Sequence, residues 1–173
     1  MTVKFCLIAA ASLLAGSAAV AVESGPTDPQ IAHIAYTADN IDIETGKLAL
    51  QKSRNPAVRE FASEMVRDHE AVNGKALALV KKLGVTPEQN ATSDSLSRQA
   101  AVTRATLEKL DGQAFDKAYV ANEVAYHGVV NNALKASLIP SADNGELKSL
   151  LETGLTLFSE HQKHAEHLSA SLK

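Results

Sequence analysis

Phe61-Ala62-Ser63-Glu64-Met65-Val66-Arg67-Asp68-His69 lies inside a longer periodic segment. Around it, Val58, Ala62, Met65, His69, Val72, Ala76, Leu79 and Leu83 are spaced alternately by four and three. That rhythm makes a helix with one face buried against partner helices. All of these residues are apolar except His69. A histidine inside a buried stripe costs stability unless its ring nitrogens find partners.

Two later segments repeat the pattern. Val120, Val124, His127, Asn131, Leu134 and Leu138 share one face, and Leu147, Leu151, Gly154, Phe158, His161, Ala165, Leu168 and Leu172 share another. Each stripe carries one mid-stripe histidine. Three helices with one inward histidine each point to a convergent site.

The chain of 173 residues suffices for one domain with a real core. Its start reads as an export signal over residues 1–21. Lys4 is the basic region, Leu7 to Leu14 the apolar run, and Ala19-Val20-Ala21 the small-x-small cleavage site. Cleavage after Ala21, or after Ala19, sends the protein to the periplasm or out of the cell. Cys6 falls within the signal, so the mature chain has no cysteine and no disulfide, thiolate site or cysteine nucleophile. The signal takes with it one of the 17 basic residues and none of the 20 acidic ones, leaving a net charge of −4. No stretch mixes Lys and Arg with aromatics, which speaks against nucleic acid as a partner. Aromatics at 4% and the lack of Trp speak against a membrane barrel. Nothing after residue 22 is long and apolar enough to span a bilayer. Protein partners and self-association stay open.

Residues 22–28 read as a linker and 29–172 as the folded unit. Asp28-Pro29 starts the first long helix, to about Lys52, which buries Ile31, Ile34, Ala38, Ile41 and Leu48. Asn55-Pro56 starts the second, which ends at Gly84. A loop over 85–94 precedes a short helix near 95–110, with apolar Val102, Leu107 and Leu110. Asp111-Gly112 breaks it. The third long helix covers about 113–138, and Pro140 and Asn144-Gly145 mark the turn into the fourth, about 146–172. No segment alternates with period two, so no sheet is expected. Short, long and short connections describe an all-α, ferritin-like four-helix bundle with one long crossover carrying an extra short helix.

Helical rise places the candidates along the bundle. If the third long helix starts beside the first turn, Glu44, Glu64 and Glu123 lie ~15 Å below that turn, His69 ~22 Å, His127 ~21 Å and His161 ~12 Å, all within about two turns. The expected metal set is His69, His127 and His161 with Glu44, Glu123 and Asp68. Asp68, adjacent to His69, suits orienting a ligand or pairing with Arg67. Asp68-His69 is echoed by Glu160-His161, with Glu60 and Glu152 eight positions earlier in each. His164 and His167 rotate off the core stripe onto a solvated face, although His161 and His164 together would suit a surface metal. His33 reads as a surface residue.

Asp42-Ile43-Glu44-Thr45-Gly46-Lys47-Leu48-Ala49, Phe61-Ala62 through His69, Phe115-Asp116-Lys117-Ala118-Tyr119 with His127, and Ser159-Glu160-His161 together resemble a bacterial family of exported, ferritin-like proteins. It is known as domain of unknown function 4142, and many members are called outer membrane proteins. The resemblance covers about residues 29–170. It implies a ferritin-like bundle, export and metal binding, without an established activity. By position, the family's acid on the first helix falls on Glu44, its Asp-His on Asp68 and His69, and its later histidines on His127 and His161. The family often carries Asp before the third-helix histidine, where this chain has Tyr126, so a carboxylate from that helix would come from Glu123.

Imidazole with carboxylate suits Fe, Zn, Mn, Cu or Ni as divalent ions. Di-iron bundles carry Glu-x-x-His on two helices, and this chain has no such motif, which disfavours a ferroxidase. It also lacks a phosphate-binding glycine loop and a Gly-x-Ser-x-Gly elbow. Two other readings stand beside the metal site. One is a non-catalytic helical interaction or structural module whose buried histidines fix packing. The other is a pH switch in which neutral imidazoles charge in acid.

Overall fold

The computed structural model describes residues 25–172. The signal sequence, its cleavage site and the first part of the linker lie outside the described residues. Six helices follow in order: α1 (Asp28–Lys52), α2 (Pro56–Leu83), α3 (Ala91–Leu107), α4 (Gly112–Ala133), α5 (Ile139–Ser141) and α6 (Gly145–Ser171). A π-helical segment (Leu134–Leu138) joins α4 to α5, and there is no strand among the described residues.

Local chemistry sets the ends. Asn55 Oδ1 accepts from the backbone N–H of Ala57 at 3.0 Å and Val58 at 3.4 Å, capping α2. Gly84, with φ of +66°, closes α2 in the left-handed conformation that glycine adopts most readily. Asn144 Oδ1 caps α6 through Glu146 N and Leu147 N. Asp28 is the first residue of α1 and does not cap it. Its carboxylate accepts from Asp143 N and Asn144 N at 3.0 and 2.9 Å and ties the α5–α6 turn to the start of α1. Thr27 is the cap residue, its N–H donating to Gln30 Oε1.

α1 packs along α2, α4 along α6, α2 against α6 and α1 against α4. The crossover runs back along α1 as α3. Asn90 Nδ2 donates to Gln30 O at one end of the bundle, and Lys52 Nζ donates to Glu108 O and pairs with Asp111 at the other. α4 therefore starts beside the α1–α2 turn, the arrangement that levels the histidines. Gly46 lets α1 and α2 approach, since a Cβ there would meet Val66 Cγ2 at 3.0 Å and Ala62 O at 3.1 Å.

Several sequence expectations shift. α3 begins at Ala91, earlier than expected, because Asn90 and Ser93 form a reciprocal capping box. Val102 is 70% exposed, as α3 lies outside the four-helix core and buries only Ser93 and Leu107. On α1, Ile41 and Leu48 are only half-buried, and Asp39, Asp42, Thr45 and Ala49 face inward. The helix after α4 does not stop before Pro140. The widened π turn at Leu134–Leu138 lets it continue to Ser141 although Pro140 cannot donate to the preceding turn.

The core has two apolar halves. One gathers Val58, Phe61, Ala62, Met65, Phe115, Tyr119, Val120, Ala165 and Leu168; the other Ile31, Ile34, Leu134, Leu138, Leu147, Leu151 and Phe158. Fully burying one such large side chain contributes about 1.5–3 kcal/mol. On every long helix the two halves are separated in sequence by buried polar residues: Asp39 and Asp42 on α1, His69 on α2, Glu123 and His127 on α4, His161 on α6. These form a polar layer at mid-bundle.

Candidate metal centre

The three stripe histidines meet. Ring centroids of His69, His127 and His161 lie 5.4 to 5.7 Å apart, and each ring is no more than 2% exposed. One ligating atom from each lies within 4.8 Å of the other two. Phe158 stacks on His69 at 4.6 Å and 13°. Gly154, one turn earlier on α6, leaves room for that ring, since a Cβ there would stand 3.3 Å from Phe158 Cε2.

Each histidine uses one ring nitrogen on a protein group. His69 Nδ1 is 2.7 Å from Asp39 Oδ1, His127 Nδ1 is 3.0 Å from Glu123 O, and His161 Nε2 is 3.2 Å from Asp68 Oδ2. The remaining nitrogens, His69 Nε2, His127 Nε2 and His161 Nδ1, are buried without a hydrogen-bond partner among the described residues. A carbonyl only accepts, so His127 Nδ1 carries the proton and Nε2 a lone pair. The Arg67 guanidinium holds the Asp68 carboxyl below its usual range, so Asp68 is ionised, His161 Nε2–H donates to it, and Nδ1 carries a lone pair. At least two lone pairs thus stand on buried nitrogens of histidines that converge.

Three acids complete the layer: Asp39, Asp42 and Glu123, each at most 3% exposed. Asp42 Oδ2 lies 3.5 Å from His69 Nε2 and 4.0 Å from His127 Nε2. Asp42, Glu123 and His127 form a second group of converging donors. Among the described residues no Lys or Arg pairs with these acids. Burial raises Asp39 to about 8 and Glu123 to about 7, and raises Asp42 well above the ordinary carboxylate range with help from the neighbouring Glu123. Burial pushes His69 down to about 4 and His127 down to about 3, and lowers His161 as well. The layer without a cation is therefore near-neutral, with protons shared between Asp39 and His69 and between Asp42 and Glu123. The 2.7 Å contact of Asp39 with His69 would also suit an ion pair, but burial of both groups favours the neutral form.

Of the expected set, His69, His127, His161, Glu123 and Asp68 are brought to this layer or its edge. Glu44 is not. It stands two residues beyond Asp42, on the opposite side of α1, with its side chain 56% exposed and Lys47 3.7 Å away. Asp42 and Asp39 take the place expected for Glu44. The echo of Asp68-His69 in Glu160-His161 does not extend to geometry, because Glu160 is exposed beside Lys163. Tyr126 donates from its hydroxyl to Ala38 O at 3.1 Å and braces α4 on α1. His164 is half-exposed, with Nδ1 2.8 Å from Glu64 Oε2. His33 is half-buried, its ring near the Thr37 hydroxyl.

The fold occurs in solved proteins of very different sequence. A crystal structure described as a secreted DUF305 protein of Streptomyces coelicolor matches with TM-score 0.70 at 12% identity, covering 83% of this chain and 91% of its own. CopM in its Cu(II)-bound form matches with TM-score 0.66 at 14% identity, covering 86% and 99%. No curated protein matches the sequence. The profile of the domain of unknown function DUF4142 matches residues 13–168, and the chain belongs to that family.

Proposed function

We propose that the protein is exported and binds one divalent transition-metal ion inside the bundle, acting in metal handling or stress defence in the periplasm or outside the cell. The observation that carries this reading is that three histidines, each with a buried ring nitrogen lacking a partner among the described residues, place ligating atoms within 4.8 Å of one another. In this reading His69, His127 and His161 are the ligands and Asp42 the fourth. Asp39 orients His69 and Asp68 orients His161, as carboxylates do behind metal-bound imidazoles. Glu123 shares a proton with Asp42 and gives it up when the ion arrives. Three imidazoles and one carboxylate suit Cu(II) or Zn(II), and the general affinity order favours Cu(II). A neighbour of the same fold captured with Cu(II), and another described as secreted, support both parts of the reading.

A structural module with packing histidines would satisfy both nitrogens of each ring, which the partnerless nitrogens speak against. The separating experiment is elemental analysis of protein purified without added metal, with thermal unfolding before and after a chelator. His69→Ala and His127→Ala serve as controls. Bound metal that is lost in both variants, and a chelator-sensitive wild type, support the site. Metal-free wild type that neither binds nor responds to Cu(II) or Zn(II) sinks it.

A further inference from the structure

Beyond the interior layer, the seam between α2 and α6 holds a second graded group of donors. Glu64, Asp68 and His161 each place one ligating atom within 4.8 Å of the others. Exposure rises outward: His161 is 2% exposed, and the side chains of Asp68, Glu64 and His164 are 19%, 30% and 45% exposed. His161 belongs to both groups. Its Nε2 faces Asp68, which leaves its buried Nδ1, without a partner among the described residues, for the group with His69 and His127.

An ion entering a protein must have its water replaced step by step, because a bare charge in an apolar interior is prohibitively costly. A cavity that also reaches the layer meets this need less well. Of about 880 Å³, it is walled largely by side chains such as Val72, Val80, Leu134, Leu138 and Leu151, and reaches the layer at Asp39 and Phe158. Its polar lining residues, among them Gln30, His33 and Asn90, are outnumbered by apolar ones. The α2–α6 seam instead offers carboxylates and imidazoles in succession.

We propose that Glu64, Asp68 and His164 form an outer station that takes a divalent transition-metal ion from solution and passes it by way of His161 to the interior site. The inference rests on the metal-binding reading above and adds the route. Because His161 has a nitrogen on each side, an ion moving between the groups keeps an imidazole within reach, provided the ring proton leaves Nε2 for Nδ1 while the outer nitrogen binds and returns when the inner one does. Arg67 acts as the gate. Its guanidinium holds Asp68 through Nε at 2.7 Å and Nη2 at 3.0 Å, where an arriving cation would sit. The arginine side chain is 69% exposed, and an ion pair so open to solvent is screened by water, so it yields easily.

The test is stopped-flow uptake and release of Co(II), followed by its visible absorption, in the mature protein. Wild type is compared with the double variant Glu64→Gln/His164→Gln and with Arg67→Ala, after far-UV spectra establish that each folds. A residue on the route alters uptake and release alike, whereas a ligand of the final site alters release. Removing the acidic, imidazole-lined mouth is expected to slow both rates by ~10-fold and leave the dissociation constant within about twofold. Arg67→Ala is expected to speed both. Unchanged rates in the double variant, or weaker binding through faster release alone, would overturn the route while leaving the interior site intact. Failure of wild type to take up Co(II), Cu(II) or Zn(II) would overturn the interior site, and the route with it.

Discussion

Replacing His127 with leucine should stabilise the metal-free protein while abolishing its response to metal. His127 is 1% exposed, and its Nε2 is buried without a partner. Leaving such a group unsatisfied costs about 1–3 kcal/mol. The bond from its Nδ1 goes to Glu123 O, a carbonyl one turn earlier on the same helix, so little else depends on it. Leucine is of similar volume and can pack on Phe158, which lies beside the His127 ring, at a repacking cost below about 1.5 kcal/mol. The net expectation is a gain of about 1 kcal/mol, or a Tm rise of roughly 2–4 °C for a chain of this size. Wild type at a hundredfold excess of Cu(II) over Kd should gain about 2.7 kcal/mol, and His127→Leu close to none. Thermal unfolding followed at 222 nm, with chelator and with Cu(II), reads both. A His127→Leu protein destabilised by more than about 2 kcal/mol, beside a wild type indifferent to Cu(II), would refute the reasoning and assign the histidines to packing.

Other outcomes follow from the same geometry. Asp39→Asn keeps the shape beside His69 but removes the carboxylate behind its ring; calorimetric titration should show ~10–100-fold weaker metal binding with the fold retained. Glu44→Gln, on the solvated side of α1, should leave metal affinity unchanged and stability within about 0.5 kcal/mol in the same assays. The pH dependence should differ between the two forms. Asp39 and Glu123, raised to about 8 and about 7, hold protons that the unfolded chain has lost, so metal-free stability falls as pH rises from about 6.5 to 8. Below about 6.5, unfolded histidines take up protons that the lowered His69 and His127 refuse, which opposes any further gain in acid. Metal binding releases the shared protons, so the stabilisation by Cu(II) should widen between pH 6.5 and 8; Tm measured with and without the ion checks it, and parallel curves would contradict it.

Helix order, the long crossover and the convergence of three histidines were legible in the sequence. Each histidine stands within an otherwise apolar three-four rhythm, and the short turns at Asn55-Pro56 and Asn144-Gly145 set the directions of the helices. The acids of α1 were harder to read. A stripe drawn through apolar residues alone passes through Ile41 and Leu48 and leaves Asp39 and Asp42 outside it. The rhythm Ile31, Ile34, Ala38, Asp42, Thr45, Ala49 continues through Asp42 only if a carboxylate is allowed to be buried. What makes burial acceptable is the cluster itself, where imidazoles and a second carboxylate from other helices share its protons. That compensation is tertiary and leaves no periodic trace. Glu44 drew attention for its motif, yet the polar face of α1 claims it. The position of α3 was equally hidden, since a helix laid against the outside of a bundle needs few apolar residues, and Val102 lies on its solvent side.

The central claim is that imidazoles from α2, α4 and α6 hold one ion together. X-ray absorption at the metal edge of the Cu(II)-loaded mature protein tests it most directly, because outer-shell scattering counts coordinated imidazoles. The account predicts one ion per chain with three imidazole ligands and an oxygen, falling to two imidazoles in His127→Leu if any ion remains. A spectrum with one imidazole or none, or one unchanged in that variant, would contradict it.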